Sequence, residues 1–260
     1  MTIHGFLTVT ADFGRLYDYL DTYDEVKAVE IPGHNGKKPD FSQFTAEATF
    51  RTVLDAYDEL AAKYDSVDVV GFSMGGTLAT WLSSVRPVNR EVLISPGNKY
   101  INAALPFEVG KFINDVSTKV FREAEGTLQE KLDAVNTALE PYKENAHTAS
   151  KVAKARTLHY MNPHTYSVFR KIIKSSNVVV ETTSPHVTPT LILWGKLDEL
   201  VPQSSVKYLT KHFPSAQVKI YPDVGHAMLY TNFDDVIIHD IVEFLTEGKV
   251  LLDVPKRNQE

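Results

Sequence analysis

The segment Val67–Leu82 limits the fold more strongly than any other part of the sequence. It begins as a buried, β-branched strand, continues as Gly71-Phe-Ser73-Met-Gly75, and ends in residues compatible with a helix. A serine on such a sharp strand-to-helix turn has a strained backbone, and small residues two positions before and after it let the strand and the helix approach without a clash. The segment therefore predicts Ser73 as a nucleophile projecting above a sheet. The alternative is a glycine-rich turn that carries an incidental serine.

Other apolar runs predict the rest of a sheet. Runs that are apolar on both faces are typical of buried parallel strands. Helix-period stripes lie between several of them, one from Phe50 to Tyr64 and a closing one from Asp234 to Leu245. Strands that alternate with helices indicate an α/β fold with a mostly parallel sheet flanked by helices. The predicted strands are Val26–Ile31, Val67–Gly71, Glu91–Ser95, Thr190–Trp194 and Gln217–Tyr221.

The alternation is interrupted between residues 98 and 188. This stretch has a helical pattern near Phe107–Glu123, Leu128–Lys143, Thr148–Met161 and Tyr166–Ser175. Because it lies between two strands of the predicted sheet, we interpret it as an insertion into a core formed by residues 1–97 and 189–260.

A serine nucleophile needs a base, and the base needs a group that orients it. His226 follows the last predicted strand, and Asp198 lies in the turn after another. Both are therefore expected at the carboxyl edge of the sheet, where open α/β sheets bind ligands. Glu199 and Asp223 are rival acids, although Asp223 precedes His226 too closely to reach round to it easily.

A third component would be a site for the negative charge that develops on a carbonyl oxygen. Ile3-His4-Gly5-Phe6 predicts a short strand that ends in a His-Gly loop, with the N–H of Phe6 facing the nucleophile. The N–H of Met74, which follows the serine, would be the second donor. We interpret His4 as a brace for the loop, and His34 as a loop residue at the edge of the site with no catalytic role.

The composition and the remaining patterns exclude several other classes. A net charge of -6 argues against a general nucleic-acid binder. The absence of cysteine removes disulfides, thiolate metal sites and cysteine nucleophiles. No metal-ligand spacing or nucleotide-binding glycine pattern occurs, so no metal and no cofactor is expected. Without a signal-peptide pattern or an apolar run near the ~20 residues of a membrane span, we expect a cytoplasmic protein. Its oligomeric state stays open.

Together these motifs resemble the signature set of the α/β-hydrolase superfamily, nearest to small carboxylesterases and monoacylglycerol-lipase-like serine hydrolases. The resemblance covers essentially the whole chain. It implies Ser73 as nucleophile, Asp198 and His226 completing a catalytic triad, Phe6 and Met74 as oxyanion donors, and residues 98–188 as a cap over the site. The motifs that carry it are His4-Gly5-Phe6, Pro32-Gly33-His34, Gly71–Gly76, Gly195–Pro202 and Gly225-His226.

The chain departs from that family at its start. Family members usually carry two antiparallel strands before the His-Gly strand, whereas this chain begins three residues before His4. The sheet is therefore expected to be smaller, with about six strands and a short strand beneath the His-Gly loop.

The predicted function is hydrolysis of carboxylic esters of small to medium size through an acyl-enzyme. The apolar side chains expected at the site favour a largely apolar small-molecule ester. Thioesterase, acyltransferase and carbon–carbon-bond hydrolase chemistry use the same triad and stay open, as does a non-catalytic member that only binds a ligand. The side chains predicted to contact the substrate are Phe6, Met74, Met228 and Leu229.

Overall fold

A computed structural model of the chain describes residues 1–34, 40–99, 162–231 and 233–246. Within these ranges the strands are β1 (Thr2–Ile3), β2 (Ala28–Val29), β3 (Val69–Phe72), β4 (Glu91–Ile94), β5 (Thr190–Gly195) and β6 (Gln217–Tyr221). The six strands form one sheet, in the order β2-β1-β3-β4-β5-β6, and each neighbouring pair is parallel. The predicted fold class and the six-stranded sheet are confirmed.

The helices that follow the strands begin at residues suited to helix ends. Thr45 Oγ1 accepts a hydrogen bond from the N–H of Ala48 at the start of α1, and Asn162 Oδ1 accepts one from the N–H of Thr165 at the start of α3. The helices described are α1 (Ala46–Ala61), α2 (Met74–Val85), α3 (Pro163–Thr183), α4 (Gln203–His212) and α5 (Asp234–Thr246), with 3-10 segments at Thr10–Tyr19, Phe41–Gln43 and Met228–Tyr230.

Apolar residues alternate between the two faces of the sheet, as strand geometry requires. On one face Leu93 and Ile192 pack with residues of α1 to α4. On the other face Val92 and Leu191 pack with the Thr10–Tyr19 segment and α5. The central strands β3 to β5 are thus covered on both sides, which explains why they are mostly apolar, whereas β6 is partly exposed.

The first two strands are shorter than their neighbours. The predicted strand Val26–Ile31 is reduced to Ala28–Val29, because it pairs with β1 and β1 pairs only over Thr2–Ile3. Val26 is 36% exposed and lies outside the ladder. The short strand expected beneath the His-Gly loop is therefore present as β1.

Of the predicted insertion, the structure describes residues 98–99 and 162–188. The helices predicted near 107–123, 128–143 and 148–161 lie outside the described residues, and the division between core and cap stays a prediction. The helix predicted over Tyr166–Ser175 lies within α3. Val168, Ile172 and Ile173 of α3 are buried in the same cluster as α1 and α2, so α3 belongs to the layer that covers the sheet.

No helix within the described ranges combines the length and apolar character that crossing a membrane requires.

Candidate active site

Ser73 lies at the junction of β3 and α2 in a strained backbone conformation. Its φ is 54° and its ψ is −112°, a region that residues other than glycine seldom adopt. A Cβ added to Gly71 would lie 2.3 Å from the carbonyl oxygen of Gly75, and one added to Gly75 would lie 1.9 Å from that of Ile3. Because these two positions are glycine, the backbones of β3, α2 and β1 can approach closely enough to form the tight turn.

Hydrogen bonds from the neighbouring strand and loop hold the turn. The N–H of Ser73 donates to the carbonyl oxygen of Ile94 on β4 at 2.8 Å, and the carbonyl oxygen of Ser73 accepts from the N–H of Gly97 at 3.0 Å. The side chain of Ser73 is left partly exposed, so its hydroxyl is accessible.

The structure brings the three polar residues predicted for the site into one hydrogen-bonded row. His226 Nε2 lies 3.1 Å from Ser73 Oγ, and His226 Nδ1 lies 2.8 Å from Asp198 Oδ2. These residues come from three separate loops at the carboxyl edge of the sheet. Both distances are those of direct hydrogen bonds.

The turn after β5 holds the carboxylate of Asp198. Asp198 Oδ1 accepts hydrogen bonds from the N–H of Leu200 at 2.9 Å and of Val201 at 2.8 Å. Asp198 is buried, whereas the rival acids Glu199 and Asp223 are exposed. Among the three acids, Asp198 is the one whose carboxylate contacts His226.

These contacts select the tautomer of the histidine. A carboxylate oxygen can only accept, so Nδ1 of His226 carries the hydrogen that is donated to Asp198. Nε2 is then the acceptor, and its partner is the hydroxyl of Ser73. The ring of His226 also lies 5.1 Å from that of Phe72, and this contact helps to position the imidazole.

The His-Gly loop lies directly against the nucleophile. A Cβ added to Gly5 would be 3.1 Å from the Cβ of Ser73, so the backbone that leads to Phe6 passes beside the serine. Within the described residues we find no acceptor for the N–H of Phe6 or for that of Met74. Met74 is the first residue of α2, where the N–H groups have no partner inside the helix and the dipole favours negative charge.

His4 connects this loop to β2. Its Nδ1–H donates to the carbonyl oxygen of Gly5 at 2.9 Å, and its Nε2 accepts from the N–H of Ile31 at 3.2 Å. One neutral tautomer satisfies both bonds. The side chain has no exposed surface, and its contacts are those of the predicted brace.

His34 packs behind the same loop as a second buried imidazole. Its ring lies 5.3 Å from that of His4 and 6.2 Å from that of Phe6. Its Nδ1–H donates to the carbonyl oxygen of Pro32. Burial, reinforced by the nearby His4, lowers the pKa of His34 to about 4. His34 is therefore neutral near pH 7 and makes no contact with Ser73.

A cavity of about 40 Å³ opens beside Ser73. The side chains that line it within the described ranges are mostly apolar, and none of these is a carboxylate or an ammonium group. Such a cavity accepts a small uncharged group next to the serine hydroxyl. Its lining residues are Phe6, Thr8, Phe72, Ser73, Gly97, Phe169, Leu200, Val201 and His226.

Three of the four side chains predicted to contact a substrate lie elsewhere. Met74 is fully buried in the cluster beneath α2. Met228 and Leu229 are buried on the opposite face of the sheet, against the Thr10–Tyr19 segment and α5. The fourth, Phe6, lines the cavity. Proximity to His226 and Ser73 in sequence suggested these contacts, but the direction of each side chain depends on the turn that carries it.

Several cavity residues were missed from sequence. Leu200 and Val201 lie two and three residues after Asp198, and Gly97 lies three residues after the end of β4, so the rule that ligands bind at the carboxyl edge could have found them. Phe169 lies in the middle of α3. We see no local signal that could have assigned it to the site.

Among the described residues, His239, Asp240 and Glu243 are close enough together to hold a metal ion. They lie on the outer surface of α5, and Asp240 already accepts hydrogen bonds from Lys219 and Tyr221. The cluster shares no residue with the row formed by Ser73, His226 and Asp198.

Comparison with known proteins agrees with this architecture. A family model for the alpha/beta hydrolase fold matches residues 3–233. Over 245 residues the chain is 23% identical to the pimeloyl-[acyl-carrier protein] methyl ester esterase of Vibrio vulnificus, covering 93% of this chain and 92% of that protein.

Solved structures of low sequence identity share the fold. A variant of the meta-cleavage product hydrolase of Pseudomonas fluorescens superposes with a TM-score of 0.62 at 19% identity, covering 95% of this chain and 90% of that one. The monoacylglycerol lipase of Paleococcus ferrophilus gives a TM-score of 0.62 at 17% identity, covering 94% and 92%.

Proposed function

The chain belongs to the alpha/beta-hydrolase family and has esterases among its relatives; from this premise we propose that it is a serine hydrolase that cleaves carboxylic esters through an acyl-enzyme. The observation that carries the proposal is the hydrogen-bonded row from Ser73 Oγ through His226 to Asp198, with distances of 3.1 and 2.8 Å. A serine with a base and an orienting acid is the arrangement that nucleophilic acyl transfer needs.

Acylation would begin with attack by Ser73 Oγ on the ester carbonyl carbon. His226 Nε2 takes the serine proton as the new bond forms, and Asp198 stabilises the imidazolium that results. The tetrahedral intermediate collapses when the bond to the alcohol oxygen breaks. His226 then transfers its proton to the departing alcohol, leaving the acyl group on Ser73.

Deacylation would repeat these steps with water. His226 removes a proton from the water as the water oxygen attacks the acyl carbon. His226 then gives a proton to Ser73 Oγ when the acid leaves. In the net reaction, one ester and one water give one acid and one alcohol.

In both steps the N–H groups of Phe6 and Met74 would donate to the carbonyl oxygen as it gains negative charge. Their position beside Ser73 and the dipole of α2 support this role. Removing one such donor in comparable sites costs about 2.7–4 kcal/mol of transition-state stabilisation.

The cavity supports a small to medium, largely apolar substrate. Phe6, Phe169, Leu200 and Val201 present apolar surface next to the serine. The relative from Vibrio vulnificus is named as a methyl ester esterase, which agrees with ester cleavage but does not identify the acyl group taken by this chain.

Replacing the nucleophile tests the proposal. Ser73→Ala should abolish hydrolysis of short p-nitrophenyl esters and labelling by a fluorophosphonate probe, since no hydroxyl is left to attack. Ser84→Ala is the matched control, because Ser84 lies near the other end of α2 and its hydroxyl donates to the Thr80 carbonyl. It should retain both activities.

Two outcomes would decide against the proposal. Full activity in Ser73→Ala would exclude the assigned nucleophile. A folded wild-type protein that neither hydrolyses esters nor reacts with the probe would indicate a member that only binds its ligand. Faster turnover of thioesters or of carbon–carbon substrates than of oxygen esters would retain the serine chemistry but change the substrate class.

A further inference from the structure

One wall of the cavity beside Ser73 comes from a helix far away in sequence. Phe169, on α3, is 3% exposed and lines the cavity. Its ring stacks on that of Phe6, with centroids 4.7 Å apart and planes inclined by 15°. The Phe6 loop lies against Ser73 through Gly5, so the ring of Phe169 stands beside the space that a bound acyl group would enter.

Phe169 lies in a closely packed part of α3. Ile172 and Ile173, on the next turn of α3, are buried against α1 and α2. Further along α3, Asn177 Nδ2 donates to the carbonyl oxygen of Asn98 at 2.7 Å, directly after the cavity residue Gly97. Displacement of α3 at this wall would therefore disturb its packing on α1 and α2.

The dimensions of the cavity favour a short group. A volume of about 40 Å³ leaves room for only a small group directly beside Ser73. The acyl group stays on Ser73 through both chemical steps, whereas the alcohol must leave between them. A small, closely packed cavity beside Ser73 therefore suits a group that stays attached to the serine, which is the acyl part of the ester.

On these grounds we propose that Phe169 determines acyl-chain specificity by closing the acyl side of the cavity, so that only short acyl groups are accepted. This inference rests on the proposed esterase function. Phe169 touches the acyl group in this scheme but takes no part in proton transfer.

Phe44 offers a matched control. It stacks on Phe6 with centroids 5.8 Å apart and is fully buried, but it is not among the residues that line the cavity. Removing either ring takes a stacking partner from Phe6, and only removal of Phe169 enlarges the cavity.

The experiment measures kcat/KM for p-nitrophenyl esters from acetate to octanoate in the wild type, Phe169→Ala and Phe44→Ala. Each methylene that becomes buried is worth about fourfold, so the octanoate-to-acetate ratio should rise at least about tenfold in Phe169→Ala. Phe44→Ala should lower all rates by a similar factor and leave the ratio unchanged. Phe169→Trp, which fills the space further, should shift the ratio in the opposite direction.

Three results would overturn the inference. The first is an octanoate-to-acetate ratio that is unchanged in an active Phe169→Ala variant. The second is an equal shift of that ratio in Phe44→Ala. The third is a change in specificity that follows alcohol length in a series of alkyl acetates instead of acyl length. Phe169→Leu provides the same test if the alanine variant does not fold. A wild type with no esterase activity and no probe labelling would refute the proposed function itself, whereas an active wild type with an unchanged ratio would refute only the role of Phe169.

Discussion

Replacing Asp198 by asparagine should remove most of the activity and leave the fold almost unchanged. Asp198 Oδ2 accepts the Nδ1–H of His226 at 2.8 Å, while Oδ1 accepts the N–H groups of Leu200 and Val201. Asparagine has the same shape but one oxygen and one NH₂ group. The two backbone donors require the oxygen at the Oδ1 position, so the NH₂ group is left facing His226.

A donor opposite Nδ1 forces the histidine into the other tautomer. Nδ1 must then accept, the ring proton moves to Nε2, and Nε2 can no longer take the proton of Ser73. The equivalent substitution in a serine protease lowers kcat about 10⁴-fold, which corresponds to about 5.4 kcal/mol of activation free energy. We expect a loss of this order, because both contacts of His226 are direct hydrogen bonds.

Kinetics and unfolding together test this reasoning. The kcat for p-nitrophenyl acetate should fall about 10⁴-fold in Asp198→Asn, while its free energy of unfolding in urea stays within about 1 kcal/mol of wild type because the backbone bonds persist. Asp198→Ala leaves the N–H groups of Leu200 and Val201 without that acceptor and should cost about 1–3 kcal/mol for each group that stays buried. An Asp198→Asn variant that keeps kcat within tenfold of wild type would contradict the tautomer change.

Three further substitutions test the packing and the buried ionisable groups. Gly75→Ala should lower the free energy of unfolding by about 3 kcal/mol or more, since the new Cβ would lie 1.9 Å from the carbonyl oxygen of Ile3; a melting temperature equal to wild type would contradict this. Because the pKa of His34 is lowered from 6.5 to about 4, its stabilising contribution is complete above pH 6.5 and is lost as the pH falls towards 4, by about 1.4 kcal/mol per pH unit. His34→Phe should therefore make the free energy of unfolding, measured by urea titration, less sensitive to pH between 6.5 and about 4. An unchanged dependence on pH would argue against a neutral buried imidazole. Burial raises the pKa of Glu91 from 4.5 to about 7, so its contribution is complete below pH 4.5 and is lost as the pH rises through 7. Glu91→Gln should remove this fall in the free energy of unfolding with rising pH. The same pH dependence in the wild type and the variant would exclude the raised pKa.

Local sequence determined much of the fold and the central part of the site. The elbow at Ser73 could be predicted because its strain, its two glycines and its flanking strand and helix all lie within a few residues. Asp198 and His226 were found because each follows a strand, and the carboxyl ends of parallel strands share one edge. The parallel sheet could be predicted because its apolar, β-branched runs alternate with helical patterns along the chain.

Only the tertiary structure decided which side chains face the cavity. Met228 and Leu229 lie within three residues of His226 in sequence, yet the turn that carries them directs both into the core on the far side of the sheet. Phe169, nearly a hundred residues from Ser73, reaches the cavity because α3 packs against α1 and α2. The strand-to-helix turn at Ser73 is a short-range feature that a sequence records directly, whereas the lining of a cavity depends on how distant segments pack, and no local pattern encodes that packing.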